Sequence, residues 1–207
     1  MMVLLERLFP GIAEFDGKCI PAWENPEEPW SILSQDGSGI WTQLSELTKD
    51  QDGVFIHPSA TIGENVRIEG PCYIGANVDI RHSAYLRGGS WICDDAVVGH
   101  CSEIKNSILL PNAKAPHFNY IGDSILGVGV NLGAGAKISN VRNDRREIMV
   151  SLRNGERVNS GLKKMGAMIG DNSQLGCNVV TNPGALLAPS SMVSPNQTVS
   201  GWFETKS

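Results

Sequence analysis

The sequence predicts a mainly β chain wound as a parallel β-helix of hexapeptide repeats, and three features carry that prediction. Ile62, Ile68, Ile74, Ile80, Leu86, Ile92, Val98 and Ile104 follow one another at intervals of six without a break. After a five-residue step the series resumes at Leu109, Ala115 and Ile121, and after a second at Leu126, Leu132 and Ile138. It returns at Ile169, Leu175, Leu187 and Val193, with the polar Thr181 in the slot between Leu175 and Leu187. A period of six suits neither an α-helix (about 3.6) nor an alternating strand (about 2.0); it is the period of a β-helix whose coil has three short faces and about eighteen residues. The aliphatic residue of each hexad points to the axis, and Gly63, Gly75, Gly122, Gly127 and Gly133 are expected at the turns.

Residues 1–53 lack this repeat. Pro10, Pro21, Pro26 and Pro29 cut the segment into short pieces, and the apolar stripes Trp30, Ile32, Leu33 and Ile40, Trp41, Leu44, Leu47 predict two short helices. Its expected role is a cap over the first coil, because an uncovered coil presents a strand edge and an open apolar core. Residues 54–200 are assigned to the β-helix. Within them, 142–164 break the repeat: Glu147–Leu152 and Glu156–Ser160 flank Asn154-Gly155 and predict a β-hairpin arm. Seven cations against three carboxylates on this arm suit it to gripping phosphate. Residues 201–207 form a tail in which Gly201-Trp202-Phe203 closes the far end.

The formal charge of -5 is uneven. Residues 1–53 hold ten acidic and three basic side chains, leaving twelve against fourteen in the repeats. A local basic excess on an acidic protein fits a small phosphorylated molecule and not nucleic acid, which calls for a broad basic face. Cys19, Cys72, Cys93, Cys101 and Cys177 show no paired spacing, as expected in a reducing compartment. The N-terminal apolar run is too short for a signal peptide, and no run approaches a membrane span. A cytoplasmic protein is expected.

The register places polar residues on faces. Three hexads return the chain to the same column one coil, about 4.8 Å, away. Arg87 and Lys105 follow slots in the column Leu86, Ile104, Ile121, Ile138; Tyr120 precedes a slot in it and Asn140 lies two past the last. In the preceding column, His82, His100 and His117 each lie two past a slot and form a ladder, and Asn131 precedes Leu132. Arg87, Lys105, His117, Tyr120, Asn131 and Asn140 are thus expected around one corner. Two cations, an imidazole, a phenol and two amides there make a site for a phosphorylated, hydroxyl-rich ligand. For His82 and His100 a purely structural stack is the simpler reading.

With these positions fixed, Gly99-His-Cys-Ser-Glu-Ile-Lys-Asn-Ser, Pro116-His-Phe-Asn-Tyr-Ile-Gly-Asp-Ser and Val130-Asn-Leu-Gly-Ala-Gly resemble the acetyltransferase domain of the bifunctional sugar-1-phosphate uridylyltransferase/glucosamine-1-phosphate N-acetyltransferases. The stretch from Asn140 through the hairpin to Asp171 is similar to the archaeal-type version. The resemblance implies a left-handed β-helix and a homotrimer with sites between subunits. It implies acetyl-CoA as co-substrate and an amino-sugar phosphate as acceptor. By position, it makes His117 the general base, with Asn131 beside the reacting group. Arg87, Lys105, Tyr120, Asn140 and Arg146 fall on sugar and phosphate contacts, and Ala134 and Cys177 on acetyl-CoA contacts. No metal is implied.

Departures shape the expectation. No nucleotidyltransferase domain precedes the repeats, so a stand-alone enzyme is expected, with activation left to a separate nucleotidylyltransferase. Val141-Arg142-Asn143 stands where the family has a Tyr-Asp-Gly run, and Pro195 stands where it has a small residue near the CoA tail. Two other readings remain open at this point. One is a non-catalytic trimer that binds a sugar nucleotide or a partner transferase. The other is a metal hydratase of the γ-carbonic-anhydrase kind, built on the histidine ladder, although stacked imidazoles on one column are poorly matched to tetrahedral zinc.

Overall fold

The structure, a computed structural model, describes residues 2–15, 20–37 and 39–205. Cys19 lies outside them. Three parallel sheets form the sides of a prism. The first face runs from Val54–Ile56 through Cys72–Ile74, Ser90–Ile92, Ser107–Leu109, Ile125–Leu126, Ala167–Ile169 and Ala185–Leu187 to Trp202–Phe203. The second runs from Thr61–Ile62 to Met192–Val193 and includes Val97–His100, Lys114–His117 and Asn131–Leu132. The third runs from Arg67–Ile68 to Thr198–Val199 and includes Tyr85–Leu86, Glu103–Lys105, Tyr120–Gly122 and Lys137–Ile138. Trp202–Phe203, placed in a tail by the sequence, pair with Leu186–Leu187 as the last strand of the first face.

The predicted columns are the observed register. Ile80 pairs with Val98 and Val98 with Ala115; Leu86 pairs with Ile104, Ile104 with Ile121, and Ile121 with Ile138. These slots are buried, as is Thr181. The glycines do not act as expected. Left-handed corners are taken by Asn77, Asp95 and Asn112, by Ser83, Cys101 and Phe118, and by Asn106 and Asp123. Asn and Asp tolerate that region best among residues with a Cβ. Gly63 and Gly133 serve close approach instead: a Cβ there would lie 2.6 Å from the amide nitrogen of His82 and 2.5 Å from that of Cys177.

The N-terminal segment does not cap the first coil. Ile56 and Ile62 of that coil stay 40% and 37% exposed. The described residues of 2–48 instead lie as a strap along the outer side of the first face. They contain a short helix α1 (Leu4–Leu8), 3-10 turns at Pro10–Glu14 and Pro29–Leu33, and a helix α2 (Ile40–Thr48). Leu8, Phe9, Trp30, Ile32, Leu33, Ile40 and Leu44 share one buried cluster with Tyr73, Trp91, Ile108, Ile125, Met168 and Leu186. The physical reason is visible in the sequence once faces are assigned. On the first face the residue before each inward slot is also apolar, so this sheet is hydrophobic on both sides and needs a cover. Burying each such side chain contributes about 1.5–3 kcal/mol.

The arm is a hairpin as predicted, Met149–Ser151 pairing antiparallel with Arg157–Asn159. Its inner side is apolar: Ile148 and Val150 are buried with Met165, Met168 and Leu186, so the arm completes the cover over the far half of the first face. Strap and arm leave the second and third faces open. No helix among the described residues is long and apolar enough to cross a membrane.

Candidate active site

The corner between the second and third faces is a continuous ridge. Backbone bonds run up it from coil to coil: Phe118 N–H donates to His100 O (2.8 Å), Gly135 N–H to His117 O (3.1 Å), Asn178 N–H to Ala134 O (2.9 Å) and Asn196 N–H to Cys177 O (2.9 Å). The ridge therefore carries His82, His100, His117, Ala134, Cys177 and Pro195 in order, each one coil, about 4.8 Å, above the last. The rings of His82 and His100 stack with centroids 4.1 Å apart. The His117 side chain is exposed, and among the described residues its ring makes no hydrogen bond. Among the described residues, no group of three or more His, Cys, Asp or Glu could hold a metal ion.

The third face holds the polar side chains. Tyr120 starts its central strand, and its hydroxyl accepts from Asn140 Nδ2 at 3.4 Å. Lys105 Nζ lies 3.0 Å from both oxygens of Asp123, whose side chain is only 3% exposed. Asp123 also accepts from Asn106 Nδ2 at 2.8 Å and from Asn140 Nδ2. Arg87 Nη1 donates to Glu103 at 3.0 Å, which raises its pKa. Burial, then the neighbouring Glu103, lift the Tyr120 phenol above its ordinary pKa. Gly122 makes this crowding possible, since a Cβ there would lie 2.5 Å from Asn140 Nδ2 and 2.8 Å from the Tyr120 hydroxyl.

These residues do not meet at a single corner. Arg87, Lys105, Tyr120 and Asn140 share the third face, while His117 stands at its near edge. Asn131 registers with Lys114, at the opposite end of the second-face strand from His117, about 10 Å away. Six residues span a whole face plus a corner, so neighbouring columns lie a face apart. Arg146 sits on the exposed arm, in a hollow of about 570 Å³ that also touches Arg142, Arg157 and Lys163. Arg142 is engaged by Asp144, and that pair holds the Asp144 carboxyl well below the usual range. A second depression of about 370 Å³, lined by Ser139, Val141, Arg142 and Asn182, opens beside Asn140.

Asp123, Glu103 and Asn106 escaped the reading by slots. The signal for two of them was in the sequence: the two five-residue steps, Ile104 to Leu109 and Ile121 to Leu126, enclose Asn106 and Asp123. Both shortened corners turn left-handed as the other corners do, φ being 45° at Asn106 and 48° at Asp123, but here the polar side chain is buried.

Fold and register define a hexapeptide-repeat β-helical protein with a polar open face. The chain belongs to the GMPPB C-terminal domain family, whose model matches residues 69–202. Among curated relatives, the bifunctional sugar-1-phosphate nucleotidylyltransferase/acetyltransferase of Sulfurisphaera tokodaii is 31% identical over 196 residues, 91% of this chain and 48% of that protein. The bifunctional protein GlmU of Methanococcus maripaludis strain C5 is 32% identical over 192 residues, 89% of this chain and 46% of that protein. The chain thus spans about half the length of the curated relatives it matches. The family resemblance read from the three motif segments is borne out. Among solved structures, a hexapeptide transferase family protein from Anaplasma phagocytophilum matches at 18% identity, 72% of this chain and 74% of that one, with a TM-score of 0.38.

Proposed function

We propose that the chain is an acetyl-CoA-dependent N-acetyltransferase acting on an amino-sugar phosphate of the glucosamine-1-phosphate kind. The observation that carries this reading is the ridge. It puts an unpartnered imidazole, His117, one coil below Ala134 and two below Cys177, beside a face bearing Tyr120, Lys105 and Asn140. Acetyl-CoA lies along the ridge, with its thioester near the N–H of Ala134, free among the described residues, and its tail passing Cys177. The sugar lies on the third face, Arg87, Lys105, Tyr120 and Asn140 supplying donors and Arg146 reaching its phosphate from the arm. The Sulfurisphaera tokodaii relative, a bifunctional sugar-1-phosphate nucleotidylyltransferase/acetyltransferase, agrees with this chemistry.

In the reaction the sugar amine attacks the thioester carbonyl, an N–C bond forms and the C–S bond breaks. His117 takes the amine proton, the general-base role an imidazole commonly fills, and the departing thiolate recovers a proton as free CoA. An N–H at Ala134 stabilises the developing oxyanion. A base is normally oriented by a further group. Among the described residues His117 has none, and Asn131 stands a strand's length away. A homotrimer resolves both points, because a neighbouring copy brings its own Asn131 and arm to the edge where His117 waits. A supply of acetyl-CoA places such an enzyme in the cytoplasm, downstream or upstream of a separate sugar-1-phosphate nucleotidylyltransferase.

The test is thiol release from acetyl-CoA offered glucosamine 1-phosphate and galactosamine 1-phosphate. His117→Ala is expected to lower kcat by roughly 10²–10⁴-fold. Full turnover in that variant would refute the base assignment, and no turnover by the unaltered protein with either sugar would refute the activity.

A further inference from the structure

We propose that Asp123 is the positioning residue of this site and that the N-terminal strap, through Trp41 and Asn106, holds it in place. The inference rests on the reading of the third face as the sugar-phosphate site.

Asp123 is buried and bonded on every side. Its backbone N–H donates to Lys105 O at 2.9 Å and its carbonyl accepts from Gly166 N–H at 2.7 Å. Its carboxylate is met by three donor groups, Lys105 Nζ, Asn106 Nδ2 and Asn140 Nδ2. An ionised carboxylate can only accept, and that fixes the orientation of both amides. Asn140 must turn its NH₂ inward, which leaves its Oδ1 free to accept from a sugar hydroxyl or ammonium. Lys105, a long flexible chain, is held at 13% exposure with its ammonium against the carboxylate instead of sweeping through solvent. Donor and acceptor are thus set before ligand arrives, which is the condition for tight and oriented binding.

Asn106 carries the constraint outward. Its NH₂ donates to Asp123 and to Leu33 O at 2.9 Å, and its Oδ1 accepts from the Trp41 indole N–H at 2.7 Å. Since the indole only donates and the carboxylate only accepts, Asn106 has one orientation that satisfies all its neighbours. Leu33 and Trp41 belong to the strap, so a segment lying on the first face reaches the back of a site on the third.

The test uses the full chain and steady-state kinetics with acetyl-CoA and glucosamine 1-phosphate. In Asp123→Asn the left-handed backbone is kept, but an NH₂ group now opposes a donor in either amide orientation. Its KM for the sugar phosphate is expected to rise roughly tenfold or more, while its KM for acetyl-CoA stays within about twofold, since the ridge is untouched. Trp41→Phe keeps the ring and removes the indole N–H; the same KM is expected to rise roughly threefold. Unchanged sugar KM in a folded Asp123→Asn protein overturns the proposal. Should that variant fail to fold, unchanged sugar KM in Trp41→Phe overturns it. If the unaltered protein shows no turnover at all, the functional reading fails separately. The positioning claim is then read by nitrogen NMR of the lysine ammonium groups, where one slowly exchanging Lys105 signal, lost in Asp123→Asn, supports it and its absence overturns it.

Discussion

The backbone N–H of Gly11 donates to Asp171 Oδ2 at 2.7 Å, tying the strap to a coil 160 positions further along the chain. The other oxygen of the same carboxylate accepts from Val128 N–H at 2.7 Å, and the Asp171 N–H returns a bond to Leu8 O at 3.0 Å. Burial pushes the Asp171 carboxyl up from 3.8 to about 6, opposed by its two backbone bonds and helped by nearby Glu14. A folded-state pKa above the unfolded one means that the folded protein holds the proton more tightly. The stabilisation is full below pH 3.8 and is lost as pH rises through about 6. Urea denaturation at about pH 4 and about pH 7 checks this, with Asp171→Asn as reference. Whatever its absolute loss, the variant should lack the part of the decline that the unaltered protein shows across this window.

Thr181 occupies a slot on the axis between Leu175 and Leu187. Among the described residues its Oγ1 is a buried polar atom without a hydrogen-bond partner. Valine has nearly the same shape and no desolvated hydroxyl, so Thr181→Val should raise stability by about 1–2 kcal/mol. A lower midpoint in chemical denaturation would show that the hydroxyl is satisfied in solution.

Gly122→Ala adds one methyl group where Tyr120 and Asn140 converge. The backbone of Gly122 is not left-handed, so the strand itself accepts alanine. Displacement of both side chains should raise KM for the sugar phosphate roughly tenfold, with thermal stability much less affected. Gly99→Ala should do the reverse in emphasis. A Cβ there would land on the carbonyl of Pro116, and forcing apart Val97–His100 and Lys114–His117 should cost about 3 kcal/mol, read in chemical denaturation.

Arg87 and Glu103 form a pair in which the side chains are 39% and 35% exposed. Pairs of this kind contribute about 0–1 kcal/mol to stability. Arg87→Ala should therefore leave the unfolding free energy within about 1 kcal/mol of the original while weakening sugar-phosphate binding by calorimetry. Trp30, a strap residue only 1% exposed, is the contrasting case: Trp30→Ala should destabilise the protein by about 3–5 kcal/mol.

The sequence showed the coils and ridge plainly because both depend on counting. Every slot from Ile74 to Ile138 is buried, and the offset of two that aligned His82, His100 and His117 is the offset of an observed corner. What counting by six could not show was how far apart two columns lie, so His117 and Lys105 were drawn to one corner when a face separates them. Nor did it look at residues beside the slots. Tyr73, Trp91 and Ile108 mark the first face as apolar outside, and that pattern, more than the prolines and short helices of residues 1–53, decides where the strap goes. Asp123 was hidden for a third reason: it sits at a five-residue step in the period, outside the slots that the count follows.

In a solenoid each turn touches only its neighbours. Here the strap is fastened near one end by α2 against Val54–Ile56 and Cys72–Ile74, in the middle by Asn106, and near the other end by Asp171. Turns at opposite ends of the prism, which share no contact of their own, are thereby joined through a segment that contributes no strand to it.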